Sequence, residues 1–338
     1  MAARFVESFF LRTWQRRGLA ARLLWPLSAL YGWQLHRRLR PWATGQCQGD
    51  RLPIPVVVIG NAVAGGSGKT PVVIALARAL LAQGVAVGVV SRGWGRASQT
   101  CREVLPDSDP ALSGDEPLLI RQRTGAPVFV ARARAEAARA LLRAYPATQI
   151  VLCDDALQHP QLARDLDICV FDERGIGNGW LLPAGPLREP WPLTPGAQRA
   201  PLVVLHGGQA PAPSDACLTR PVQRHLAAHA VNGGGLRVPL AELRGQPLVA
   251  VAGIAQPERF FDALRAQGLT LARCLPLPDH YDFSSWSWAD RKGERLICTE
   301  KDAVKLWAAH PDALAVPLEL DLPPAVLDLA LSLIPARL

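Results

Sequence analysis

From Pro55 onward, short β-branched runs alternate with Ala/Leu/Arg-rich stretches of helical period. That alternation is the pattern of a mostly parallel sheet covered on both faces. The runs predict strands over 56–60, 86–91, 127–130, 149–153, 167–171 and 202–205, and the stretches predict helices over 69–83, 116–123 and 132–144. Short connections put the loops at the carboxyl ends of the strands, where open α/β sheets bind ligands. Between His206 and Gly245 the chain turns rich in Gly, Pro and His with no long periodic run, which reads as a linker. A second α/β unit follows, with strands over 247–252, 270–275 and 295–298 and helices near 257–267, 301–309 and 324–333. The expected organisation is a larger sheet domain over 46–225, then the linker and a smaller α/β domain over 226–338.

Residues 1–45 follow another pattern. Phe5, Val6, Phe9, Phe10 and Trp14 recur at helical spacing while Arg4, Glu7, Arg12, Arg16 and Arg17 fall between them, an amphipathic helix with an aromatic face. From Leu23 to His36 no formally charged residue occurs, yet these 14 residues contain Pro26 and fall short of the roughly 18–20 that span a bilayer. A segment lying in a membrane surface is expected, with Trp25, Tyr31 and Trp33 at headgroup level. The alternative is a helical hairpin packed on the domain's own sheet. A cleaved signal peptide is not expected, because the apolar stretch comes late and is split from the first by Arg22.

Charge sharpens this division. Of the chain's net +8, residues 1–49 supply +7, eight Arg against Glu7, so the remainder is close to neutral and no nucleic-acid-binding face is indicated. Hydrophobic residues at 49% and charged residues at 20% exclude wholesale disorder and a polytopic membrane protein. The seven cysteines are odd in number and contain no Cys-x-x-Cys pair, so they read as reduced thiols and not as a disulfide or zinc framework.

The predicted strand 56–60 runs into Gly60-Asn61-Ala62-Val63-Ala64-Gly65-Gly66-Ser67-Gly68-Lys69-Thr70, followed by a helix. This is a phosphate loop in the strand–loop–helix context of P-loop nucleotide-binding domains. Its glycines let backbone N–H groups approach phosphates, Lys69 reaches the β and γ oxygens, and Thr70 can bind Mg²⁺. The match is to the Gly-Gly-x-Gly-Lys-Thr variant, since Val63 stands where the strict form has Gly. A second strand ends in Asp154-Asp155-Ala156-Leu157-Gln158-His159, and a carboxylate at that edge is what a nucleotide-bound Mg²⁺ requires. Asp154 is the candidate metal ligand, while Asp155 reads as a second catalytic carboxylate or a helix cap. No Asn is followed by Lys, so the guanine-specific Asn-Lys-x-Asp pattern is missing and ATP is the expected nucleotide.

These elements resemble the tetraacyldisaccharide 4′-kinase family of lipid A biosynthesis. The resemblance extends through Ser91-Arg92-Gly93-Trp94-Gly95-Arg96, Gly114-Asp115-Glu116-Pro117, Asp154-Asp155-x-x-Gln158-His159 and Gly177-Asn178-Gly179. It continues in Leu182–Pro190, Asp279-His280-Tyr281-x-Phe283 and Thr299-x-Lys301-Asp302-Ala303-Val304-Lys305. Trp94 stands where Tyr is expected, and Ala156 where Gly is common. The resemblance implies transfer of the ATP γ-phosphoryl group to the 4′-hydroxyl of an acylated glucosamine disaccharide 1-phosphate, at the cytoplasmic face of the bacterial inner membrane, with no obligate protein partner. It implies Glu189 as a Mg²⁺-associated carboxylate, with Arg188 offsetting charge on the transferring group. Asp115 becomes the candidate base, His280 its orienting or proton-sharing partner, with Asp155 the second choice of base. Arg92 and Arg96, with Gln158 and His159, are candidate substrate contacts. Each has a structural alternative: Asp115 could cap its helix, His280 could pack on Tyr281, and the arginines could be solvated. The competing class is a membrane-associated nucleotide switch or targeting ATPase, which often carries Lys where this chain has Ala64 and needs no acceptor base.

Overall fold

The computed structural model describes residues 9–193, 200–211, 217–284, 286, 288 and 293–335; Arg4, Phe5, Val6 and Glu7 of the expected amphipathic helix lie outside them. Its first sheet has eight strands: β1 (Val56–Gly60), β2 (Val87–Ser91), β3 (Arg102–Val104), β4 (Val128–Val130), β5 (Ile150–Asp154), β6 (Leu166–Phe171), β7 (Leu202–His206) and β8 (Leu218–Pro221), in the order β3-β4-β2-β5-β1-β6-β7-β8. All pairings are parallel except β3 with β4. The strand period of two explains why β1 is apolar at every position but its glycine. Val57 and Ile59 pack under helix Lys69–Ala82 through Val72, Val73, Leu76 and Leu80. Val56 and Val58 face the opposite layer, where helix Arg134–Ala144 brings Ala137, Ala138 and Leu141.

Beyond β8 come β9 (Arg224–Leu226), β10 (His229–Val231), β11 (Arg237–Pro239), β12 (Leu248–Ala252), β13 (Leu271–Pro276), β14 (Arg295–Thr299), β15 (Leu314–Val316) and β16 (Leu318–Leu320). Six of them form the second sheet, β11-β10-β15-β14-β12-β13, and β9 pairs with β16 in a two-stranded ribbon. Two expectations need correction. The stretch read as a linker, 206–245, contains β8 to β11, each three or four residues long. And helix Pro324–Ser332 does not cover the second sheet: Val326 and Ala330 are buried in the core of the first, alongside helix Lys69–Ala82.

The apolar segment near the N-terminus is one helix, Leu19–Ala43, running through Pro26 and Pro41. Its buried residues, Ala21, Ser28 and Leu35, are seven apart and so lie on one narrow face. That face docks on the loop 177–191. The Ser28 hydroxyl donates to the Leu181 carbonyl at 2.8 Å and accepts from the Ala184 N–H at 2.9 Å. Just before the helix, the Trp14 indole N–H reaches the Pro183 carbonyl at 2.9 Å. Leu19, Leu23, Leu27 and Leu30, at spacings of four and three, line the opposite face, and Leu19 and Leu23 are 81% and 80% exposed. Tyr31 was expected at headgroup level but turns inward, its phenol donating to the Arg188 carbonyl at 2.7 Å. No helix among the described residues is long and apolar enough to cross a membrane.

Candidate active site

The carboxyl ends of β2 and β5 open onto a cleft of about 220 Å³. Beside it β1 ends at Gly60, where a Cβ would come within 2.6 Å of the Leu157 Cβ, so glycine is required for the Asp154–His159 loop to lie against the phosphate loop. The loop is internally braced: Asn61, fully buried, donates from Nδ2 to the Val63 carbonyl at 2.7 Å. It is also pinned from outside, by hydrogen bonds from Arg188 N to the Ala62 carbonyl and from Ala64 N to the Pro186 carbonyl, both 2.7 Å. Arg174 holds the Gly66 carbonyl at 2.9 Å, and Arg224 approaches the Ser67 carbonyl at 3.4 Å. Gly68 sits at φ +78° and no side chain caps the helix that begins at Lys69, leaving its first amides for an anion.

Arg92, Asp115, Asp154, Asp155, Gln158, His159 and Arg188 all line this cleft. Asp155 adopts φ +47°, a left-handed conformation uncommon for Asp. Its carbonyl is clamped by Arg134 at 2.7 Å and its N–H donates to the Ile59 carbonyl at 2.8 Å. So held, its carboxylate lies 3.6 Å from the Lys69 ammonium and 3.2 Å from the Arg188 guanidinium. Burial opposes its charge, but Lys69, Arg188 and Arg134 together lower its pKa. It caps no helix. Asp154 has the opposite character. Burial, Glu116 and Asp155 push its carboxyl up to about 7, against the pull of Lys69 and the Ser91 hydroxyl. Ser91 donates to its Oδ2 at 3.0 Å, and its buried Oδ1 has no hydrogen-bond partner among the described residues. A buried carboxylate with a free oxygen beside two other acids is a fit for a hard divalent cation. No group of three His, Cys, Asp or Glu able to hold a metal occurs among the described residues; Mg²⁺ is commonly held by one or two carboxylates and the phosphates of its nucleotide. Glu189 is buried next to the cleft, where Gln158 donates to its Oε1 at 2.8 Å and also to the Asn61 carbonyl at 2.9 Å.

A loop of the second sheet reaches the cleft residue Asp115. The loop after β13 carries His280 at φ +57°, and its Nδ1 lies 2.8 Å from Asp115 Oδ2. Asp115 opens helix Asp115–Thr124, and its Oδ1 accepts from the Glu116 N–H at 2.9 Å. Burial works against its charge, yet the hydrogen bond from His280 and the ammonium groups of Lys301 and Lys305 hold it well below the usual carboxylate range. The Trp94 ring lies 4.7 Å from the His280 ring. The His159 imidazole is pushed down to about 4 by burial, with Arg134 adding to the effect, so it is neutral at physiological pH.

Arg96 is the candidate that the fold removes. It is buried inside its own loop, donating to the Thr100 carbonyl at 2.7 Å, and does not line the cleft. Sequence reasoning gave no role to Ser91, Glu116, Arg134, Lys301 or Lys305. Arg134 left no signal beyond its charge. The two lysines did, because a spacing of four on one helix puts both on the face turned toward Asp115.

A phosphate loop beside a cleft lined by carboxylates and by Arg188 is the arrangement of a P-loop phosphotransferase. The family LpxK, described as tetraacyldisaccharide-1-P 4′-kinase, matches residues 20–334, and the chain belongs to it. The chain is similar to a tetraacyldisaccharide 4′-kinase of Acidovorax sp. (strain JS42), with 58% identity over 93% of this chain and 91% of the relative. It is also similar to one of Verminephrobacter eiseniae (strain EF01-2), with 53% identity over 96% and 75%. The crystal structure of the "apo" form LpxK from Aquifex aeolicus in complex with ATP superposes with a TM-score of 0.80 at 27% identity, covering 93% of this chain and 99% of that one.

Proposed function

We propose that the protein transfers the γ-phosphoryl group of ATP to the 4′-hydroxyl of a tetraacyldisaccharide 1-phosphate, giving lipid IVA in lipid A biosynthesis. The observation that carries this reading is the Asp115–His280 pair, 2.8 Å apart, with Asp115 lining the same cleft as Arg188 and as Asp155, the partner of Lys69. A nucleotide switch needs no such acceptor base. Lys69 and the loop amides bind the β- and γ-phosphates, and Arg188 offsets charge on the transferring group. Asp115 accepts the hydroxyl proton as the new O–P bond forms and the bond to the β–γ bridging oxygen breaks, releasing ADP. A carboxylate so strongly stabilised is a weak base, which suits a loose transition state in which the proton leaves late. Asp155, paired with the Lys69 and Arg188 that this reading assigns to the phosphates, is the second candidate for the base. Asp154, Thr70 and Glu189 would hold Mg²⁺, which when bound neutralises charge on the phosphates. Arg92, Gln158 and His159 would contact the disaccharide headgroup or its phosphate.

The exposed stripe Leu19-Leu23-Leu27-Leu30, flanked by Trp25 and Trp33, supports contact with a bilayer surface, as does the Arg-rich N-terminal charge block. The acyl chains of the substrate would then remain in the cytoplasmic leaflet of the inner membrane while its sugar enters the cleft. In this reading residues 1–45 are the membrane-associated segment, 46–225 the kinase domain and 226–338 the part that supplies His280. The test is a radiolabelled γ-phosphate assay with a defined acylated disaccharide in detergent. Label on the glycolipid is expected; label released only as inorganic phosphate would overturn the reading in favour of a switch ATPase.

A further inference from the structure

We infer that Arg164 is a positioning residue, whose guanidinium holds the loop carrying Gln158 and His159 in place of the helix that this crossover lacks. The inference rests on the kinase reading for what those two side chains serve and on geometry for how they are held. Strands β5 and β6 run parallel on either side of β1, so the chain leaving β5 at the carboxyl edge must return to the amino edge before β6 begins. Such a return usually takes a dozen or more residues wound as an α-helix, which satisfies its own carbonyls. Here only residues 155–165 make it, and they contain no helix.

The lower half of the crossover borrows backbone from the segment before β1. The Asp50 N–H donates to the Gln161 carbonyl at 2.7 Å, and the Ala163 N–H donates to the Asp50 carbonyl at 3.1 Å. The upper half, next to the cleft, has arginines instead. Arg134 donates to the Asp155 carbonyl at 2.7 Å. Arg164 donates from Nη2 to the His159 carbonyl at 2.5 Å and from Nη1 to the Leu157 carbonyl at 3.2 Å. These two acceptors stand on either side of Gln158, whose amide bridges the Asn61 carbonyl and Glu189. Arg164 is buried and does not line the cleft, so it acts on the site only through the loop. Its charge is met by Asp167 of β6 at 3.3 Å, with the two side chains 3% and 1% exposed. A planar fork of five N–H donors can serve two carbonyls and a carboxylate at once, where an ammonium acts as a single point.

The experiment compares the full-length protein with Arg164→Lys, which keeps the charge beside Asp167 but not the fork, and with Arg164→Met/Asp167→Leu, which leaves neither buried charge uncompensated. Hydrogen–deuterium exchange over 155–164 is read without nucleotide or lipid, and steady-state transfer from ATP to a tetraacyldisaccharide 1-phosphate is read in detergent. In both variants the segment should exchange faster than in the wild type while β1 and β5 stay protected. Their kcat should fall roughly 10–100-fold, the usual cost of removing a group that orients another. The KM for ATP should change little, because the hydrogen bonds of Asn61 and of the Arg188 N–H that brace the phosphate loop are untouched. Wild-type exchange and kcat in either variant would overturn the inference, reducing Arg164 to a counter-charge for Asp167. If neither variant folds, the wild-type protein decides: a segment 155–159 that exchanges as freely as an exposed loop is not held, and the inference fails. Glycolipid left unlabelled by the wild type would sink the kinase reading, while the exchange data would still test the hold on the loop.

Discussion

The two walls of the cleft are built by different means. The side assigned to phosphates in the proposed function is backbone, a loop of 60–70 whose shape comes from glycines, one buried Asn and hydrogen bonds to adjoining loops. The side assigned to the acceptor is made of side chains, and its two central residues, Asp115 and His280, are 165 positions apart. Binding a phosphate asks for many weak, pre-aimed dipoles, which a contiguous loop supplies. Accepting one proton at one moment asks for a single group in one orientation, which needs support from several directions.

That contrast predicts a graded set of losses. Lys69→Ala, which removes the cation that opens the helix after the phosphate loop, is expected to abolish phosphoryl transfer. Its thermal unfolding curve should stay unchanged, since the partly exposed 3.6 Å pair with Asp155 is worth less than about 1 kcal/mol. Measurable turnover near the wild-type rate would refute the phosphate-site assignment. On the other wall, Asp115→Asn should lose roughly 10²–10⁴-fold in kcat with ATP affinity little changed. His280→Ala should lose less, and the double variant less than the product of the two, because the pair acts as a unit. Weakened ATP binding with kcat preserved at saturation would instead make Asp115 part of the phosphate side, and Asp155 would become the candidate base.

A sequence reads the first kind of wall more readily than the second. Strand β1, its loop and helix Lys69–Ala82 are contiguous, so period and glycine spacing define them within a residue. The motif around Lys301 and Lys305 was visible, but nothing local says which carboxylate two helical cations will face. Strands of three or four residues such as β9 to β11 are too short for a period to emerge from Gly- and Pro-rich surroundings. Helix Pro324–Ser332 illustrates a different limit: an amphipathic pattern announces an apolar face without naming its partner, here the core of the first sheet. Arg96 and Tyr31 misled for a related reason. Both carry polar groups on long apolar bodies, and both turned inward once a carbonyl was within reach.

Smaller effects test the outer surface and the cleft rim. Replacing Trp25 and Trp33 with Ala should weaken binding to vesicles of anionic lipid by roughly tenfold or more, given the worth of burying large apolar side chains. The fold should survive, since both are more than half exposed. Binding of the wild type should also weaken with added salt. Equal sedimentation of variant and wild type with vesicles would locate the anchor elsewhere. Deleting the whole segment is a poorer test, because helix Leu19–Ala43 also supports the loop 177–191. The smallest effect concerns His159, whose imidazole is pushed down to about 4 from 6.5. Below pH 6.5 the unfolded chain binds a proton there that the folded protein refuses, so stability is lost as pH falls and the loss is complete below about 4. His159→Gln should therefore show a shallower fall in Tm than the wild type over that window. Parallel Tm curves would mean that the imidazole is not shielded as described.

One hydrogen bond gives this architecture an unusual sensitivity. The phenol of Tyr31 ends on the carbonyl of Arg188, the residue whose own N–H fastens the phosphate loop and whose guanidinium meets Asp155. Helix Leu19–Ala43 and Arg188 thus meet at one hydrogen bond. If the helix is the footing and Arg188 part of the chemistry, as proposed, both rest on that one phenol, and Tyr31→Phe would keep the two parts while removing the bond between them.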